Sequence, residues 1–219
     1  MTSNPGASPL TLMSAVRQVA QALREAGIED AAAEARWLVA AAADVNALDL
    51  VLSEGRPVAP DIVDRIGAYT QRRSAREPLS RIIGRRAFYG RDFNLSEGTL
   101  DPRPDTETII DVVLSIWAER NWPGRQVKIL DVGTGTGAIL ITLLAELPSA
   151  RGIGIDISAD ALHTAAQNAS RLGVAARATF KQFDVCSGLG GDTIQSADGF
   201  DFIVSNPPYI ATCDIEGLP

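Results

Sequence analysis

The run Asn206-Pro207-Pro208-Tyr209 holds the residue types best suited to gripping one small planar group. The Asn206 side-chain oxygen and the Pro207 carbonyl can both accept hydrogen bonds from a single –NH2. Two prolines keep those acceptors rigid and add no competing donor. Tyr209 offers an aromatic face to a flat substrate. The run therefore suits an amide or an aromatic amine. Such nitrogens are poor nucleophiles because their lone pairs are delocalised. Chemistry on them comes from aligning the lone pair on an electrophile and from well-placed dipoles, not from a strong base. The single histidine, His163, is not close by in the sequence, and none is required.

A second set of residues suits a nucleoside. In Asp131-Val132-Gly133-Thr134-Gly135-Thr136-Gly137, three glycines remove side chains where backbone must approach a ligand. The loop opens a helix, so free N–H groups are expected to point at the site. Asp156 follows and can accept from both hydroxyls of a ribose. Asp184 could accept from an exocyclic adenine amine, and Val185 could pack on the base. These features fit a nucleoside cofactor without choosing which. Gly133, Gly135 and Ala138 even satisfy the dinucleotide pattern G-x-G-x-x-A. No Walker-type lysine follows the loop, which argues against a nucleotide triphosphatase.

All these residues fall at the ends of short apolar segments. Val127–Val132, Gly152–Ile155, Ala178–Phe183 and Phe200–Ser205 read as strands. Helical patterns run over Ala138–Leu147 and, capped by Ser158, to Leu172. Repeated β-α units imply a parallel sheet with right-handed crossovers, whose ligand lies beyond the carboxyl ends near a topological switch point.

Upstream the pattern is helical. Leu12, Val16, Val19 and Leu23 recur at helical spacing up to Gly27; Ala31, Ala35, Leu38 and Ala42 share a face after Asp30. Asn46 can cap a short helix through Leu52. Pro60 and Asp61 open another, with Ile62, Ile66 and Tyr69 inward. Arginines 72, 73, 76, 81, 85, 86 and 91 then crowd one stretch against Glu77 alone. This stretch reads as a solvated helix end and connector, or as a contact surface for an acidic partner or an RNA-bound complex. Ala87–Tyr89 and Phe93–Leu95, separated by Gly90-Arg91-Asp92, predict a hairpin. Pro104 suits a helix first turn, with Ile109, Val112, Val113 and Ile116 as its buried face. The expected organisation is a helical domain over 1–85, a hairpin linker over 86–104 and an α/β domain over 105–219.

Composition narrows the classes. The chain has 219 residues, 46% hydrophobic and 21% charged, with a net charge of −7. That is too apolar for a disordered chain, and the acidity opposes bulk attraction to DNA or RNA phosphates. Cys186 and Cys213 form no C-x-x-C, and one histidine leaves no His-rich metal site; no metal is expected. No apolar run reaches the ~20 residues of a membrane span, and Met1–Pro9 lacks signal-peptide character. A cytoplasmic location is expected.

The glycine loop, Asp156, Asp184 and N-P-P-Y together resemble class I S-adenosylmethionine-dependent methyltransferases acting on amino or amide nitrogen. Glu77–Gly90 (E-P-L-S-R-I-I-G-R-R-A-F-Y-G) and Pro102–Glu107 (P-R-P-D-T-E) narrow the resemblance to the HemK-type peptide chain release factor N(5)-glutamine methyltransferases. The resemblance implies a Rossmann-like fold behind an N-terminal helical bundle that docks a release factor. Asp131, Gly133, Thr134, Gly135, Thr136, Gly137 and Asp156 would hold the methionine and ribose parts of S-adenosyl-L-methionine, with Asp184 and Val185 at the adenine. Asn206, Pro207, Pro208 and Tyr209 would hold the glutamine amide of a Gly-Gly-Gln loop. Asn206, Pro207 and Tyr209 would be the catalytic set, with Asn206 also touching the cofactor. The family's sheet has further strands after N-P-P-Y. Their loss here would leave Phe200–Ser205 a bare apolar edge, so a non-catalytic cofactor-binding remnant stands as an alternative. A nucleic-acid N6-adenine methyltransferase, which shares N-P-P-Y, is another.

Overall fold

The computed structural model describes residues 10–52, 55, 57–120, 122, 125–185 and 199–207. Pro208, Tyr209, Cys186 and Cys213 lie outside the described residues. The chain forms two compact units, Met1–Gly84 and Arg85–Pro219.

The first unit is all helix: α1 (Leu12–Glu25), α2 (Ala31–Ala43), α3 (Ala47–Leu52), α4 (Pro60–Ser74) and α5 (Leu79–Ile83). Leu12, Val16, Val19 and Leu23 are buried on α1, and Ala31, Ala35, Leu38 and Ala42 on α2. Small alanines on the facing side of α2 leave room for that packing. Asn46 Oδ1 accepts from the backbone N–H groups of Leu48 and Asp49 at 2.9 Å each, which caps α3. Sequence periodicity missed α5, which is too short to show a period; it sits between Pro78 and a left-handed Gly84. Much of the arginine run is used internally. Arg73 makes a two-pronged pair with Glu34 that ties α4 to α2. Arg72 pairs with Glu77, and Arg76 donates to the Ala26 carbonyl at 2.9 Å.

The second unit starts with an antiparallel hairpin, β1 (Arg85–Phe88) and β2 (Arg91–Asn94). The turn is Tyr89-Gly90, one step earlier than expected, because Phe88 pairs with Arg91. Both turn residues have positive φ, 48° and 70°, the two-residue turn whose twist matches its strands. A tyrosine is rare there. Glu107 holds its N–H at 2.7 Å and Asp111 its hydroxyl at 2.8 Å.

After a 3-10 turn at Pro104–Thr106 comes α6 (Glu107–Glu119), then β3 (Lys128–Val132), α7 (Ala138–Glu146), β4 (Arg151–Asp156), α8 (Ala159–Arg171), β5 (Ala178–Gln182) and β6 (Phe202–Ser205). The sheet is parallel with order β5-β4-β3-β6. The chain winds outward from β3 through β4 and β5, then returns to the other side of β3, which makes β3 the switch point. Residues Ala138–Leu144 of α7 are all buried, so that helix is apolar all round. The face of α6 differs from expectation. Ile110 and Val113 are buried, whereas Val112 is 51% exposed beside β6, whose Ile203 is 65% exposed. Among the described residues β6 pairs with β3 alone.

Candidate functional site

The site is built at the carboxyl ends of β3, β4, β5 and β6. Val132 pairs with Ser205, so Gly133 and Asn206 leave neighbouring strands side by side.

The glycine loop is held from beneath. Asp131 is fully buried, and its Oδ2 accepts from the Thr134 hydroxyl at 2.7 Å. Burial pushes the Asp131 carboxyl up to about 6; the Thr134 hydroxyl and the Leu140 backbone N–H pull it down, and the nearby Asp156 charge pushes it up. Thr134 reaches Asp131 because Gly154 lies opposite: a Cβ there would stand 2.8 Å from the Thr134 hydroxyl. Asn168, fully buried on α8, ties the loop to the hairpin. It donates to the carbonyls of Thr136 at 3.0 Å and Asn94 at 3.1 Å, and accepts from Asn94 N–H at 2.9 Å.

Asp131, Thr134 and Thr136 are buried, so their side chains shape the loop from within. Gly137 is also buried: a Cβ would stand 2.6 Å from Ile141 Cδ1 and 3.1 Å from Ala165 Cβ, so this glycine serves helix packing. Four of the loop's N–H groups have partners within the protein: those of Gly133 and Thr134 donate to the Ile155 carbonyl at 2.9 Å, that of Gly135 to Asp156 Oδ2 at 2.9 Å, and that of Gly137 to the Thr134 carbonyl at 2.8 Å. Gly133 and Gly135 have positive φ and open space where a Cβ would point.

Asp156 ends β4 and is half-buried. Its two oxygens accept from Gly135 N–H and Ser158 N–H, each at 2.9 Å. A carboxylate has roughly four acceptor sites, so two backbone donors leave capacity for hydroxyls. Asp184 and Val185 are exposed just past β5. Sequence reading missed Ile157, 67% exposed next to Asp156; with Val185 at 44% it gives two solvent-facing apolar side chains past adjacent strands. The signal was available as a large apolar residue following a strand-end acid.

On the β6 side, Asn206 is half-buried and Pro207 exposed. Asn206 Nδ2 donates to the Thr106 hydroxyl oxygen at 2.6 Å. Thr106 was not singled out from the sequence. His163 lies on the exposed face of α8, 2.9 Å from the Gln167 amide nitrogen, with no part in this arrangement.

Residues 14–84 match the family described as the PrmC N-terminal domain, and residues 124–216 match a methyltransferase domain family. The release factor glutamine methyltransferase of Bradyrhizobium diazoefficiens is 42% identical over 208 residues, covering 95% of this chain and 67% of that protein. The Agrobacterium fabrum protein of the same name is 42% identical over 207 residues, covering 94% and 69%. Among solved structures, a SAM-dependent methyltransferase from Geobacter sulfurreducens in complex with S-adenosyl-L-homocysteine aligns at 29% identity and TM-score 0.33, over 41% of this chain and 33% of that one.

Proposed function

We infer what the site does from one premise: the chain belongs to the release factor glutamine methyltransferase family. It is an S-adenosyl-L-methionine-dependent methyltransferase, and its methyl acceptor is a release factor glutamine. The observation that carries the site assignment is the adjacency of Gly133 and Asn206 on paired strands. A glycine loop with open backbone and an amide acceptor share one edge of the sheet.

S-adenosyl-L-methionine supplies a methyl group on a positively charged sulfur. Gly133 and Gly135 would offer it an open backbone face, Asp156 would take its ribose hydroxyls, Asp184 its adenine amine, and Ile157 and Val185 would supply apolar contact to the base. Asn206 Oδ1 and the Pro207 carbonyl accept the two N–H bonds of the glutamine amide. Holding both hydrogens fixes the amide plane and turns the nitrogen lone pair out of it. The same two dipoles stabilise the positive charge that develops on nitrogen as the C–N bond forms and the methyl–sulfur bond breaks; the neutral thioether leaves, and the nitrogen sheds one proton to solvent to give the N-methyl amide. Pro208 and Tyr209, which follow in the sequence, would serve the same amide. The acceptor is the glutamine of a Gly-Gly-Gln loop. Residues 1–84 dock the release factor, a role supported by the match of 14–84 to an N-terminal domain of this family. Such a substrate belongs to the cytoplasm. No helix among the described residues is long and apolar enough to cross a membrane.

The test is peptide mass spectrometry of an unmethylated release factor after incubation with this chain and S-adenosyl-L-methionine. One added methyl on the Gly-Gly-Gln glutamine is expected. Methylated adenine in DNA with unmodified release factor would overturn the reading.

A further inference from the structure

The P-R-P-D-T-E run has no part in the chemistry so far, yet it is built into the site from both sides. Glu107 holds the Tyr89 N–H of the hairpin turn at 2.7 Å. Thr106 accepts from Asn206 Nδ2 at 2.6 Å, a bond between residues a hundred positions apart. We propose that Thr106 is a positioning residue for methyl transfer, fixing which end of the Asn206 amide faces the substrate. The proposal rests on the reading of Asn206 as the acceptor for the glutamine amide.

An asparagine amide is nearly symmetric in shape but opposite in function at its two ends. The substrate nitrogen carries only N–H donors toward the protein, so the productive orientation presents Oδ1. The flipped orientation would set –NH2 against –NH2. In the structure Nδ2 is committed to Thr106, and the end turned away from Thr106 is Oδ1. Thr106 is a rigid post. It is buried, its N–H donates to the Arg103 carbonyl at 3.0 Å, and it leads directly into α6, which Ile110 and Val113 anchor in the core. Asn206, by contrast, follows the four-residue β6, which among the described residues pairs with β3 alone. Without the hydroxyl Nδ2 loses the partner that sets its orientation, and misplacement of a positioning group by about 1 Å can cost 10²-fold in rate.

The experiment compares Thr106→Val, which keeps shape and removes the hydroxyl, with Thr106→Ser, which restores it. In transfer assays Thr106→Val should lower kcat about ten- to a hundredfold, while cofactor Kd and Tm stay near those of the unaltered chain. Thr106→Ser should recover most of the rate. A readout independent of turnover is the Asn206 side-chain –NH2 signal in asparagine-labelled chain. Thr106→Val should shift it and speed its hydrogen exchange; Thr106→Ser should not. An unmoved signal, a normal kcat in Thr106→Val, or equal losses in the serine variant would each overturn the proposal. Asn206→Ala, run alongside, separates the two readings. Near-normal transfer there removes the acceptor role and this proposal with it. Loss in Asn206→Ala with normal Thr106→Val removes this proposal alone.

Discussion

The two ends of the site are held by different means. At the β3 end, Asp131, Thr134, Thr136 and Asn168 are all buried, and the loop's backbone is bonded to Ile155, Asp156 and Asn94 by way of Asn168. At the β6 end, Ile203 is exposed, Ser205 Oγ bonds back to the Val132 carbonyl at 2.8 Å, and Asn206 reaches Thr106 across the unit. The β3 end, the proposed cofactor side, is thus over-determined by many mutually supporting bonds. The β6 end, the proposed amide side, lies at the tip of a short strand, so single changes there should separate chemistry from folding. Changes under the loop should move both together.

The largest separation is expected for Asn206→Ala. Transfer should fall about 10²- to 10³-fold, the scale for removing one preorganised dipole from a reacting group. Cofactor affinity by calorimetry should stay within a few-fold, and Tm should barely move. A matched loss of affinity and Tm would erase the contrast between the two ends.

Gly137→Val tests the loop end. The new side chain would collide with Ile141 and Ala165 at a φ of +79°. Strain and overpacking together should destabilise the chain by about 3 kcal/mol in urea titrations. Cofactor affinity should fall in parallel. Gly133→Ala is the control: its Cβ meets nothing within 4 Å, so only the φ of +70° is strained. Its cost should be about 1 kcal/mol. Equal costs for the two variants would contradict the packing role of Gly137.

Much of this arrangement was legible in the sequence because it depends on local pattern. Strand ends at Val132, Asp156 and Ser205 follow from apolar runs stopped by glycine, acid and proline. The helical unit follows from stripes such as Leu12, Val16, Val19 and Leu23. What escaped was set by long-range pairing. The hairpin turn moved to Tyr89-Gly90 because Glu107 and Asp111 hold the tyrosine from another element. The inward orientation of Thr134 depends on Gly154 one strand away. The roles of Thr106 and Asn168 rest on partners separated by many residues, which neither propensity nor spacing encodes. The partners of the Gly133, Thr134 and Gly135 N–H groups, Ile155 and Asp156, likewise lie on the neighbouring strand.

The buried Asp131 gives the loop end a pH signature. Its carboxyl ordinarily titrates at 3.8 and is raised here to about 6, chiefly by burial. Between about pH 4 and pH 6 the folded chain keeps a proton that the unfolded chain has released. That contribution to stability is fully present below the unfolded value and is lost as pH rises through about 6. Asp131→Asn keeps the shape and an acceptor for Thr134 but cannot ionise. The stability of the variant relative to the unaltered chain should therefore rise across that window and then level off, by at most about 3 kcal/mol. A difference that stays flat with pH would show the carboxyl charged in the folded state.

The sharpest test of how the two functions share residues is expected at Asp156. Its carboxylate is at once a cap for α8 through Ser158, a clamp on the loop through Gly135 and the proposed partner of the ribose. Asp156→Asn keeps one oxygen, so only one of the two backbone donors retains its partner. A backbone clamp alone would predict a drop in Tm with cofactor affinity following it. The ribose role predicts a loss of affinity larger than the loss of stability, because the amide nitrogen faces hydroxyls with a donor in place of an acceptor. About a tenfold weaker Kd is expected, the scale of one hydrogen bond to a charged group. At saturating cofactor the transfer rate should return to near its original value, since Asn206 and Thr106 are untouched. A rate that stays low at saturation would mean that Asp156 also shapes the amide end, and the two ends would then be one cooperative unit rather than two.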